Sequence, residues 1–185
     1  MIDDGGQDEE RNAIRRLVTS WPKTPAFLCD RYFTVLTSNR LAQSLTPAFT
    51  EGSNLASFTF LEPDVDRDHE LYPEASRQTV ALLRDSLDEH EGDSSFRTIV
   101  GNLSVHSDDF ATAWADDSLL AIGRGEVAFP DTAQGSIRLT YQLLRLPGDS
   151  GDTLFVWSPA DPEAAAALDR LAETTEPSVG RDHTN

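Results

Sequence analysis

Apolar residues first recur at helical spacing, where Ile14, Leu17, Val18 and Trp21 fall at i, i+3, i+4 and i+7. That stripe predicts a short amphipathic helix with Asp8, Glu9 and Glu10 in its first turn, ended by Pro22 and Pro25. From Ala26 the period changes. Residues 26–29 and 32–37 read as two strands joined by a tight turn at Asp30-Arg31. Asn39 is placed to cap a helix from Arg40 to Leu45, which stops before Pro47. A looser stretch follows, with Gly52, Pro63 and Pro73 among the aromatics Phe49, Phe58, Phe60 and Tyr72. Three helical patterns come next, marked by Val80, Leu83 and Leu87, then Phe96, Ile99, Val100 and Leu103, then Phe110, Ala113 and Trp114. Asp93 or Ser94 can cap the second and Ser107 the third. Strand character returns at roughly 119–129, 136–146 and 153–158, separated by Pro130, Gly135 and Pro147-Gly148-Asp149. Asp161 with Pro162 behind it opens a last helix through Leu168 and Leu171.

The order helix, two strands, several helices, three strands, helix predicts an α+β domain. Its centre is a five-stranded antiparallel sheet with helices packed on one face and flanking N- and C-terminal helices. One domain over residues 9–173 accounts for the pattern, between a polar N-terminus (1–8) and a tail (174–185) expected to be flexible. Such a layer pair leaves room for a small ligand between sheet and helices.

Composition narrows the chemistry. Thirty-two acids against fifteen bases give a net charge of −17, and Lys23 is the single lysine. A surface this negative repels phosphate backbones, so no direct nucleic-acid contact is expected. No stretch approaches the roughly 20 apolar residues of a membrane span, and the start is acidic, so the chain reads as cytoplasmic. The lone Cys29 excludes an internal disulfide and reads as a packed thiol. The segment from Asp64 to Glu70 begins like a calcium loop, but His69 stands where the turn glycine belongs and Ala75 where the bidentate glutamate belongs. It reads as a solvated acidic turn. Neither a catalytic motif nor a metal or cofactor motif is legible, and Ser104, His106 and Asp108 are too close in sequence to form a triad. Of the histidines, His183 lies in the tail, His90 reads as solvated and His106 as the one at a helix junction.

The apolar residues carry more. Phe33, Phe58, Phe60, Phe96, Phe110, Trp114, Tyr141 and Trp157 fall on or beside the predicted sheet and helical insert. Most of these make a core, and some are expected to line a pocket for an apolar or amphipathic molecule. Asn39, Arg97 or His106 would anchor a polar head group, since a buried carboxylate needs a donor or a cation.

A run of blocks in order then resembles a known family. Trp21-Pro22-x-Thr24-Pro25-Ala26-Phe27-Leu28-x-Asp30-Arg31, Val35-Leu36-x-x-Asn39-x-Leu41-Ala42 and Gly52-x-Asn54-Leu55 open the match. Phe58-x-Phe60-Leu61-x-Pro63, Leu71-Tyr72-Pro73, Leu82-Leu83-Arg84, Val100-Gly101-x-Leu103-Ser104 and Ser107-x-x-Phe110-x-x-x-Trp114 continue it. Leu139-x-Tyr141-x-x-Leu144 and Leu154-Phe155-Val156 close it, so that about 14–172 is covered. Together they resemble the ligand-binding domain of MmyB-like transcription regulators. The resemblance implies a PAS-like fold, a sensor role beside a helix-turn-helix that residues 1–13 cannot hold, and fatty-acid-like ligands. Two positions depart from it: Phe129-Pro130 replaces the family's His-Pro, and Glu74-Ala75 stands where a Trp follows the Leu-Tyr-Pro block. The expectation is a non-enzymatic sensor without a cofactor, acting through a protein partner or homodimer. The alternative is a ligand-free interaction module that dimerises with full-length regulators.

Overall fold

The computed structural model describes residues 4–70, 72–89, 92–148 and 150–175. His90 and His183 lie outside these residues, as do the first three residues and 176–185. Helix α1 (Asp4–Thr19) leads into strands β1 (Ala26–Cys29) and β2 (Val35–Ser38). Helix α2 (Arg40–Gln43), a 3-10 turn (Pro47–Phe49), α3 (Leu55–Leu61), α4 (Tyr72–Glu89), α5 (Ser94–His106) and α6 (Asp108–Trp114) form an insert. Strands β3 (Arg124–Thr132), β4 (Gly135–Arg145) and β5 (Thr153–Pro159) follow, and α7 (Pro162–Thr175) closes the order. All five strands join one antiparallel sheet in the order β2-β1-β5-β4-β3. This is the α+β, PAS-like architecture expected from the element order and the family blocks.

Several boundaries differ from the sequence reading, each for a physical reason. The hairpin turn takes in Tyr32 and Phe33, because the Asp30 carboxylate accepts from the backbone N–H of both Tyr32 and Thr34 at 2.9 Å. Strand β2 therefore starts at Val35. Asn54 caps an additional helix, α3, by accepting from Ser57 N–H at 3.0 Å, in the stretch predicted to be loose. Residues 119–123 are not a strand. Strand β3 runs through Pro130, which an edge strand tolerates because one side of its backbone needs no ladder partner. Helix α1 begins at Asp4, within the segment expected to be flexible.

Side chains alternate across the sheet and so divide the molecule into two cores. Phe27, Tyr141, Phe155 and Trp157 face the insert and α7 and join the larger cluster. Ala26, Leu28 and Leu154 face the other way, where Val18, Ile14 and Trp21 of the α1 segment cover them. Complete burial of Val18 and Leu28 is worth about 1.5–3 kcal/mol each. The α1 helix is thus held on the face opposite the insert.

Two polar devices fix it there. Arg11 grips Asp152 in a bidentate pair, Nε to Oδ2 at 2.6 Å and Nη2 to Oδ1 at 2.8 Å. Asn39 accepts from Ala42 N–H at 2.9 Å as the cap of α2, and its amide donates to the carbonyls of Val18, Trp21 and Thr24. One buried side chain thereby ties the end of α1 to the start of α2.

Candidate functional site

Between the inner face of the sheet and the insert lies a cavity of about 480 Å³. Its floor is aromatic: Phe27 from β1, Phe155 and Trp157 from β5, Tyr141 from β4 and Phe129 from β3. These positions meet because β1, β5, β4 and β3 are sequential neighbours, with Phe27 opposite Phe155 and Tyr141 opposite Trp157. Phe27 and Phe155 stack at 4.6 Å, and Trp157 meets Tyr141 and Phe129 at 5.2 Å each. The roof comes from Phe49 of the 3-10 turn, Leu55 and Phe58 of α3, and Ala75, Gln78 and Leu82 of α4. Exposed Asp64, Asp66 and Asp131 stand with Pro47 and Pro130 at the rim, and half-buried His69 and Tyr72 join them.

Local backbone features shape this wall. Phe33 has φ of +64°, a left-handed conformation that costs a bulky residue roughly 1–2 kcal/mol. The turn holds it there: Phe33 N–H donates to Asp30 at 3.0 Å, and Leu55 N–H donates to the Phe33 carbonyl at 2.9 Å. The Phe33 ring then meets Phe155 edge-on at the cavity wall. Gly125 lies opposite Tyr141, and a Cβ there would come within 2.7 Å of the Tyr141 ring carbons and hydroxyl. Glycine at this one position lets the Tyr141 ring lie across β3.

The polar groups inside are neutral. The Tyr141 hydroxyl lies 3.5 Å from Gln78 Oε1, the limit of a hydrogen bond. Burial, and secondly the charge of Glu74, push its phenol up to about 12, so it remains a donor at neutral pH. The Trp157 indole N–H is buried and has no acceptor. Thr46, Thr59 and Thr79 add hydroxyls. Among the described residues of the wall there is no arginine or lysine.

Of the residues singled out from sequence, Phe33, Phe58, Tyr141 and Trp157 come together in this cavity. The others lie elsewhere. Phe60 and Phe110 pack edge-on at 5.1 Å beneath α3 and α6, and Trp114 stacks on Phe110 and under the Arg84 guanidinium. Phe96 sits against Tyr32, whose hydroxyl holds Asp93, the cap of α5. The Asn39 amide is fully occupied by backbone groups, which leaves it no donor for a ligand. Arg97 is exposed on α5. His106 is exposed at the end of α5, bonded to Asn102, and borders a separate polar cleft with Arg67 and Asp109. None of the three expected anchors reaches the cavity.

Sequence reading missed Phe27, Val127, Phe129 and the α4 residues of the wall. Period-2 alternation in β3 marks Val127 and Phe129 as inward, whereas β1 is apolar at all four positions and does not single out Phe27. Their place over a void depends on how the insert sits. Both departures from the family blocks touch this wall, through Phe129-Pro130 and through Ala75.

Cys29 is fully buried, and burial pushes its thiol well above the usual range, as a packed thiol requires. No group of His, Cys, Asp and Glu among the described residues could hold a metal ion, and no helix there is long and apolar enough to cross a membrane.

Comparison with known proteins agrees with the sequence blocks. No curated protein matches the chain. Among solved structures, the PAS domain from Bordetella pertussis BvgS is similar at 12% identity and a TM-score of 0.39, over 90% of this chain and 98% of that one. The family model described as the MmyB-like transcription regulator ligand binding domain matches residues 11–171. With that match spanning most of its length, the chain belongs to the MmyB-like regulator ligand-binding domain family.

Proposed function

We propose that this chain is a non-enzymatic, cytoplasmic sensor domain that takes a small apolar or amphipathic molecule, such as one with a fatty-acyl-like chain, into the sheet–insert cavity. The observation that carries the reading is the cavity itself: a half-open, aromatic-floored void of about 480 Å³ in a domain whose other interior aromatics are packed. That volume is within the range of small-molecule sites, and its few polar groups suit orientation more than chemistry. Family membership supports a ligand-sensing role.

A response to occupancy has a short route. Phe27 and Phe155 line the cavity, while their neighbours Ala26, Leu28 and Leu154 touch the α1 core. A ligand that shifts the aromatic floor therefore moves the seat of α1 through a single sheet layer. We take the exposed side of α1, which includes Leu17, as the contact surface for a protein partner or a second copy. Native mass spectrometry of protein purified from its own host tests the ligand reading. An apolar molecule that co-purifies and is released on unfolding is the expected result. A clean apo mass, with no thermal shift against an apolar panel, contradicts it and favours a ligand-free module that pairs with full-length regulators.

A further inference from the structure

From the charges around the cavity we infer that its ligand carries a cationic head, an amine or quaternary ammonium on an apolar body, and not a carboxylate. This inference rests on the ligand-sensor reading above and specifies the chemistry of the same cavity.

The rim holds three exposed carboxylates, Asp64 and Asp66 from the α3–α4 connection and Asp131 from β3. They border one mouth although their elements are far apart in sequence. Glu74 adds a fourth negative charge whose field reaches Tyr141 inside. No arginine or lysine lies among the described residues of the wall. Arg67 is the cation in the same connection, and its Nη2 donates to the carbonyls of Phe60 and Glu62 at 3.0 Å each. Its guanidinium borders the neighbouring cleft with His106 and Asp109 and touches this mouth only at the Tyr72 hydroxyl. A carboxylate entering the cavity would lose its hydration and meet neutral donors behind a negative rim. An ammonium head at the mouth meets the opposite: carboxylates at the rim and Tyr72, a ring of the kind that attracts cations.

The test is a displacement titration with matched dodecyl compounds below their micelle concentrations. N-phenylnaphthylamine, a neutral apolar fluorophore, is displaced in parallel by dodecyltrimethylammonium, dodecanol and dodecanoate. The ammonium compound is expected to displace at a concentration at least about tenfold lower than dodecanoate, with dodecanol between them. The triple variant Asp64→Asn, Asp66→Asn, Asp131→Asn should shrink that preference several-fold. A control with the same charge change at exposed sites away from the mouth, Asp88→Asn, Asp117→Asn, Glu173→Gln, should keep it. Dodecanoate binding as tightly as the ammonium, or equal loss of preference in both triple variants, overturns the head-group inference and leaves the sensor reading standing. Failure of the fluorophore and all three compounds to bind overturns both.

Discussion

Replacing Arg11 by methionine tests how α1 is held to the sheet. Asp152 has 2% of its side chain exposed, whereas Arg11 has 32%, and the two share bonds of 2.6 and 2.8 Å. The pair also holds Arg11 in its charged form, raised above its usual value chiefly by the hydrogen bond to Asp152. Methionine keeps the apolar stem of Arg11 and removes only the guanidinium. A nearly buried carboxylate then loses its partner with Asp30 close by, which adds repulsion. Breaking a fully buried ion pair costs about 3–5 kcal/mol; discounting for the exposed third of Arg11, about 2–4 kcal/mol is expected. Asp152→Ala should cost less, about 1–2 kcal/mol, because the stranded arginine can turn into water. The double variant should cost less than the sum, with a coupling of roughly 1–3 kcal/mol. Urea unfolding at pH 7, followed by circular dichroism, gives all three differences. Amide exchange over residues 8–19 should quicken in each variant if the latch acts on α1. A loss below about 0.5 kcal/mol for Arg11→Met, or a larger loss for Asp152→Ala, would refute the burial argument.

Three further substitutions probe other joints. Asp30→Asn keeps the Oδ1 that accepts from Tyr32 and Thr34 but removes a carboxylate whose pKa is raised, first by burial. A raised acid weakens the fold once ionised, so the variant should gain up to about 1 kcal/mol at pH 7, and the gain should fade as the pH falls toward 3.8; a gain that grows on acidification would show the sign to be wrong. Gly125→Ala should cost about 1–3 kcal/mol by driving its Cβ into Tyr141, with Tyr141→Leu relieving the cost in the double variant. Thermal melts decide this, and an unaffected single variant would mean the ring gives way freely. Asn39→Ala removes the α2 cap and strands three carbonyls, for an expected loss of about 2–4 kcal/mol by chemical denaturation; a loss under 1 kcal/mol would show that water replaces the amide.

Much of the fold was legible because its signals are local. Asn39, Asp93, Ser107 and the Asp161-Pro162 pair act as caps or helix starts where the sequence places them. The misplaced strand start at 119 has a tertiary cause. Leu119, Leu120 and Ile122 form an apolar run, yet Leu120 is 77% exposed and nothing pairs with that segment. Helix α3 is short and depends on the cap at Asn54 inside a Gly-Ser-rich approach, so its periodicity is weak. In the cavity, alternation identifies inward aromatics but not which of them meet another side chain. Phe60 and Phe110 meet each other and Phe96 meets Tyr32, while Phe33, Tyr141 and Trp157 face the void. A void is a property of the whole packing and leaves no mark on any one residue.

The most direct test of the central claim is a titration of N-phenylnaphthylamine into this chain and into Ala75→Trp. Ala75 lines the cavity from α4, and an indole there fills the space above the aromatic floor. Single-site, saturable uptake is predicted for the natural chain, and at least about tenfold weaker uptake for a variant whose thermal melt stays cooperative. Equal uptake by both proteins, or none by either, would contradict the account of this cavity as the ligand site.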